Sequence, residues 1–343
     1  MATVISTGSG ILGYRLEAET AYCEALVERL KTGHAPFQDA KDWKLSQRWH
    51  QRLVNYTLDE STKTRVEQEV YKNILFYYQQ VEETCKQRTW QTSRPQLRQV
   101  RIRLNLSRRT ARAINLVVRW TIFDQQLFAA LQRENFPLAL TPASQQQLRQ
   151  WQAALVIPNR RIPPVQMLRS GRNANYTRLW RRLNERDWQA ANHETHECLL
   201  TASGQQGKTL QLIDVARIPK QDLQTIDQLW IQFSTDQQGI PQFGLSVQSR
   251  IWQQVRAAKK ENLEIFARLV GWYRINSWIN YESLDYSLAA EPGHLPALPY
   301  MGWWCWVGGM QALMGRMSVI AQNSSGPGAT ATDATIGSNP KPA

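Results

Sequence analysis

Four cysteines in 343 residues stand far apart, at Cys23, Cys85, Cys198 and Cys305. None forms a CxxC pair that would supply half of a zinc site, and the spacings make no disulfide framework, so a reducing compartment fits the chain. The opening MATVISTGSGILG lacks a basic stretch followed by a long apolar core. That argues against secretion and for a cytoplasmic protein, with contact at a membrane periphery left open. The five histidines and the acidic residues show no Ser/His/Asp, Cys/His or paired-carboxylate spacing that would force convergence. No catalytic residue and no metal ligand is assigned on that basis, and an enzyme is not expected. No internal repeat of fixed period is present.

Three motif-like stretches lack the context that would give them meaning. Gly8-Ser9-Gly10-Ile11-Leu12-Gly13 spells GxGxxG, but no alternating strand–helix pattern follows it, and a mobile N-terminal arm is expected instead. His193-Glu194-Thr195-His196 places its histidines three apart rather than four, which suits a surface helix pair better than zinc. Residues 301–321 are apolar enough to raise a membrane question. However, Arg316 and glycines 302, 308, 309 and 315 lie inside them, so a buried or interface helix is expected there.

What the sequence does hold is charge of one sign and tryptophan. Lys plus Arg outnumber Asp plus Glu by 41 to 28, a formal net charge of +13, which favours an anionic partner. No acidic residue occurs from Thr84 to Phe123, whereas Lys86, Arg88, Arg94, Arg98, Arg101, Arg103, Arg108, Arg109, Arg112 and Arg119 all fall there. A solvated basic face is the plain interpretation, with nucleic acid or an acidic membrane as the alternative contact. The fourteen tryptophans crowd toward the second half and suit cores and binding clefts alike.

The length favours two domains. Apolar residues at helical spacing run through residues 14–90 and again from Arg109 to Arg133, with VRIRLNL between them alternating like a short strand. Residues 157–173, with three prolines and little periodicity, read as a linker. The organisation expected is all-α: an N-terminal helical domain over 1–156, a linker over 157–173, a second helical domain over 174–320 and a disordered tail over 321–343.

Within the second domain, Pro219, Asp222, Leu223, Ile226, Leu229 and Trp230 set a helix that Gly239, Pro241 and Gly244 must interrupt before another begins near Ser246. A long connection flanked by aromatics is either core packing or the wall of a site for a flat, apolar ligand with acidic arms. The runs IPKQDLQTIDQLW, FGLSVQSRIW, VGWYRINSW and SLAAEPGHLPAL resemble the genomes-uncoupled-four family, and NYTRLWRRLNERDWQAANHETHECLLTASG is similar to that family's opening helix pair. The likeness covers about residues 174–317.

The resemblance implies a cupped, all-helical domain that binds protoporphyrin IX or Mg-protoporphyrin IX. It implies regulation of magnesium chelatase and chlorophyll synthesis through that enzyme's porphyrin-handling subunit, and no catalysis. By position it points to Phe233, Phe243, Leu245, Val247, Arg250, Trp252, Arg274 and Trp278 as ligand contacts, with Phe243→Asp expected to abolish binding at nearly intact helicity. Leu245 stands where the family usually has Phe, Asn192 where it usually has Asp, and the loop before Phe243 is longer than usual. A sensory or interaction protein, reading a ligand with this module and responding through its N-terminal helices, is the alternative.

Overall fold

The computed structural model describes residues 2–36, 47–208, 210–258, 262–300 and 306–324. Two compact units divide the chain, Met1–Leu168 and Arg169–Ala343.

In the first unit three long helices, α1 (Ala2–Lys31), α3 (Glu60–Lys86) and α5 (Arg108–Arg133), pack pairwise into one core. Ala18, Ile74, Val81, Ile114 and Leu127 are wholly buried along their seams. Three shorter helices attach to these: α2 (Gln47–Val54) to α1, α4 (Arg94–Arg103) to α3, and α6 (Pro142–Leu155) to α5. Their starts follow capping chemistry. Asp59 accepts from the Thr62 amide at 2.8 Å, Ser107 from Thr110 at 3.1 Å and Thr141 from Ser144 at 3.4 Å, each satisfying a donor that the first turn leaves open.

Two expectations change here. Gly8 to Gly13 lie inside α1, so that stretch is helix rather than a loose arm. VRIRLNL is not a strand either: its first half finishes α4, with Leu97 and Leu106 buried on either side. A lone strand among helices has no partner for its backbone groups, whereas the helix satisfies them internally and still buries an apolar stripe.

The second unit opens with the packed pair α7 (Thr177–Asn184) and α8 (Trp188–Ser203). It continues through α9 (Leu212–Arg217), α10 (Lys220–Ser234), α11 (Leu245–Ala257) and α12 (Leu263–Leu269), then a two-stranded antiparallel hairpin, β1 (Tyr273–Arg274) and β2 (Ser277–Trp278). The last helix, α13 (Trp306–Ser324), lies along α11 and α9 and buries Met310, Leu313, Met314, Met317 and Ile320. Among the described residues no helix is long and apolar enough to cross a membrane. Residues 321–324, expected in a tail, continue α13; the rest of that tail, with residues 301–305, lies outside the described residues.

Residues 157–173 carry two short 3-10 turns, Asn159–Arg161 and Val165–Met167, and then feed into the second unit. Asp222 of α10 makes that entry. Its carboxylate accepts from Ser170 Oγ at 2.6 Å, the Gly171 amide at 2.8 Å and Tyr176 Oη at 2.7 Å, and the side chain is wholly buried. Each bond to a charged acceptor is worth about 1.5–3 kcal/mol and stranded partners cost more. Asp222→Ala should therefore destabilise the second unit by about 3 kcal/mol or more. Urea unfolding followed by tryptophan emission checks this; a loss under about 1 kcal/mol would mean the three donors find other partners.

Candidate functional site

The connection from α10 to α11 is short-tethered rather than loose. Ser234 Oγ accepts from the Phe243 amide at 2.9 Å, Thr235 and Pro241 face each other in an antiparallel bridge, and the Asp236 carboxylate accepts from the Gln238 and Ile240 amides at 2.9 and 2.8 Å. Gly239 turns the chain at φ +81°. The result is a small closed turn with Ile240 at its tip, 57% exposed. Gly244 follows at φ +135°, where a Cβ would stand 2.9 Å from Asp227 Oδ1. That same oxygen accepts from the Ser246 amide at 2.8 Å and so starts α11. Burial raises the Asp227 pKa, against the pull of its amide bonds and of nearby Arg250.

Residues 291–297, the EPGHLPA stretch, form a strap beneath this turn. The Gly293 amide donates to Gln242 O at 2.7 Å, the Gly244 amide to Leu295 O at 3.1 Å, and Gln248 Nε2 to both Gly293 O and Pro296 O at 2.9 Å. Trp272 Nε1 donates to His294 O at 2.8 Å, and the Ala297 amide donates to Asn192 Oδ1 at 2.6 Å. Asn192 thus joins α8 to the strap. His294 is buried with Nδ1 2.7 Å from Val270 O, and burial lowers its pKa. It fixes the turn. Among the described residues no three His, Cys, Asp or Glu side chains are grouped to hold a metal.

The hairpin β1–β2 leaves from the same place, one residue past Trp272. Tyr273 pairs across it with Trp278, ring centroids 5.4 Å apart and edge to face, and the Arg268 guanidinium lies 4.6 Å from the Tyr273 ring. Ile275 and Asn276 make the turn with φ +48° and +58°. Ile275 is 98% exposed.

The eight residues to which the resemblance points divide in two. Phe243 is wholly buried, packed edge-on to Trp188 at 5.6 Å and Trp230 at 6.2 Å. Leu245 and Val247 are buried on α11, and Trp252 is buried against Phe266 at 5.8 Å. These four are packed inside the unit rather than on its surface. Phe243→Asp would place a carboxylate inside an aromatic cluster, so it reports on folding before it reports on a ligand. Phe233 is half-buried against Trp180 at 5.8 Å, Trp278 is half-buried, and Arg250 and Arg274 are exposed. The sequence reading missed Ile240, Ile275 and the Arg268–Tyr273 pair. Asn276 between flanking aromatics was the available hairpin signal. A hollow of about 660 Å³ lies elsewhere in this unit, between α9 and α13, lined by Leu212, Ile213, Val215, Ala216, Ala312 and Arg316, whose guanidinium donates to Val215 O.

Residues 169–309 match the family model described as GUN4-like. The chain is 31% identical over 135 residues to a Ycf53-like protein of Synechocystis sp., covering 38% of this chain and 54% of that one. It is 35% identical over 133 residues to uncharacterized protein ycf53 of Pyropia yezoensis, covering 38% and 52%. It therefore spans about half the length of these relatives. A likeness to the ligand-free structure of Arabidopsis thaliana GUN4 covers 40% of this chain and 90% of that one at 24% identity, with a TM-score of 0.34.

A β-branched side chain at positive φ is a strained choice where glycine or asparagine would serve. Ile275→Gly should therefore raise stability by about 1 kcal/mol in a urea titration, since the exposed side chain has little packing to lose. Lower stability in the variant would show that the isoleucine supports the folded hairpin.

Proposed function

We infer that the GUN4-like domain at residues 169–309 makes this chain a tetrapyrrole-binding regulator of magnesium chelatase, with no catalytic role of its own. The family match over the second unit carries this inference, and the surface chemistry of that unit supports it. Protoporphyrin IX and its magnesium complex are flat, apolar and bear two propionates. Such a ligand suits exposed Ile240 and Ile275, half-buried Phe233 and Trp278, and the exposed guanidiniums of Arg250 and Arg274, which this proposal assigns to one face. The apolar residues exclude water from the macrocycle, and each arginine can take a carboxylate through paired N–H donors. The residues fit a macrocycle laid against the turns. They do not fit one inserted among Phe243, Leu245, Val247 and Trp252, which are already packed against their neighbours.

The partner in this proposal is the porphyrin-handling subunit of the chelatase, to which the loaded chain would deliver or present its ligand. A polar, tightly bonded strap behind the turns supports the same role. It fixes the face before the ligand arrives, so less ordering entropy opposes binding.

Titrating the full chain with protoporphyrin IX should give a saturable Soret shift and tryptophan quenching, and the chain should raise chelatase turnover when added to the enzyme. Arg250→Gln combined with Arg274→Gln should weaken binding about tenfold, the order expected for losing a charge-assisted pair at a partly desolvated surface. No saturable shift would overturn the proposal; saturable binding untouched by the double substitution would move the site off this face.

A further inference from the structure

The N-terminal unit holds a cavity of about 730 Å³ that tetrapyrrole binding does not use. It opens between α4 and α5, both of which rest on α3 or its neighbours, and its floor is Tyr77, Trp90, Leu97 and Ala111. Six arginines line it. Arg94, Arg98 and Arg101 recur at four and three along one side of α4; Arg108, Arg112 and Arg119 recur at four and seven along α5.

Three of these cations, Arg94, Arg101 and Arg119, are braced without being neutralised. Arg101 donates to Leu106 O at 2.7 Å, and Arg119 donates to Asn115 O and Leu155 O, both at 3.1 Å. Arg119 and Arg94 lie 4.3 and 5.4 Å from the Trp90 ring. Among the described residues none of the six pairs with a carboxylate. No aspartate or glutamate occurs between Thr84 and Phe123 to supply one locally. The first turn of α5 carries no acid of its own, although its cap amide, Ser107 N–H, donates to the Glu19 carboxylate at 2.8 Å. A solvated basic face would spread such charges apart; here two helices aim them into one concavity.

We propose that this cavity binds a compact polyanion carrying two or more phosphoryl groups. Planar guanidiniums grip phosphoryl oxygens two at a time, and the volume is that of a small-molecule site. Trp90 and Tyr77 are buried, and Trp90 is flanked by two guanidiniums, so neither offers a free ring for stacking a base. A concave floor suits a discrete anion better than the plane of a membrane. The proposal involves the N-terminal unit alone and stands apart from the tetrapyrrole face.

Calorimetric titration of the full chain with inorganic tripolyphosphate tests it, at low and at physiological salt. Saturable binding with one site per chain is expected, weaker at the higher salt. The double substitution Arg98→Gln and Arg112→Gln, both at exposed positions, should weaken it about tenfold while leaving the circular dichroism unchanged. Protoporphyrin IX binding by that variant should stay at the wild-type level, which separates failure here from failure of the tetrapyrrole assignment. Absence of saturable binding, or equal binding by the double variant, overturns the proposal. So does retention of a DNA duplex or of anionic phospholipid vesicles that tripolyphosphate does not displace, since that would assign the arginines to a macromolecule.

Discussion

The backbone of residues 293–297 is the constraint on which the C-terminal unit depends. Within five residues it bonds to the α10–α11 turn, to Gln248 of α11, to Trp272 at the root of the hairpin and to Asn192 of α8. Each bond contributes only about 1 kcal/mol net, yet each partner would cost 1–3 kcal/mol if left buried and unmatched. Position therefore matters more than strength. Gly293 sits at φ +76°, where any other side chain would be strained, and a Cβ there would also press on the Ile251 Cδ1 methyl at 2.9 Å. Because the turn bearing Ile240 and the hairpin bearing Ile275 hang from this one segment, neither can move freely of the other.

Much of this fold was legible in the residues, and what was not has a common cause. Helix periodicity was visible over residues 14–90 and 109–133, while the caps at Asp59, Ser107 and Thr141 that fix where α3, α5 and α6 start emerge from the structure. Periodicity, however, reports only that a residue prefers to leave water. It could not say that Phe243, Leu245, Val247 and Trp252 are enclosed by their own chain rather than offered to a ligand. Asp222 read as an ordinary first-turn acid because its three partners are distant in sequence, at positions 170, 171 and 176. VRIRLNL misled because alternation over seven residues does not distinguish an edge of helix from a strand.

The arginines of the first unit show the same division between composition and geometry. Their clustering and the absence of acids are visible in the sequence. That six of them line one cavity depends on how α4 and α5 each pack on α3, which no local pattern specifies. The two units thus present different chemistries to anions. One carries exposed apolar tips, Ile240 and Ile275, with the exposed cations Arg250 and Arg274; the other gathers six guanidinium groups over a small apolar floor.

The central claim is that a macrocycle lies across the turns that the strap holds. Methyl NMR of the isoleucine-labelled chain during addition of protoporphyrin IX tests it most directly, because a porphyrin ring current displaces only the resonances beside it. The account predicts large shifts at Ile240 and Ile275 and none at Ile213, which faces the hollow between α9 and α13. Displacement of Ile213 with Ile240 and Ile275 unmoved would contradict it.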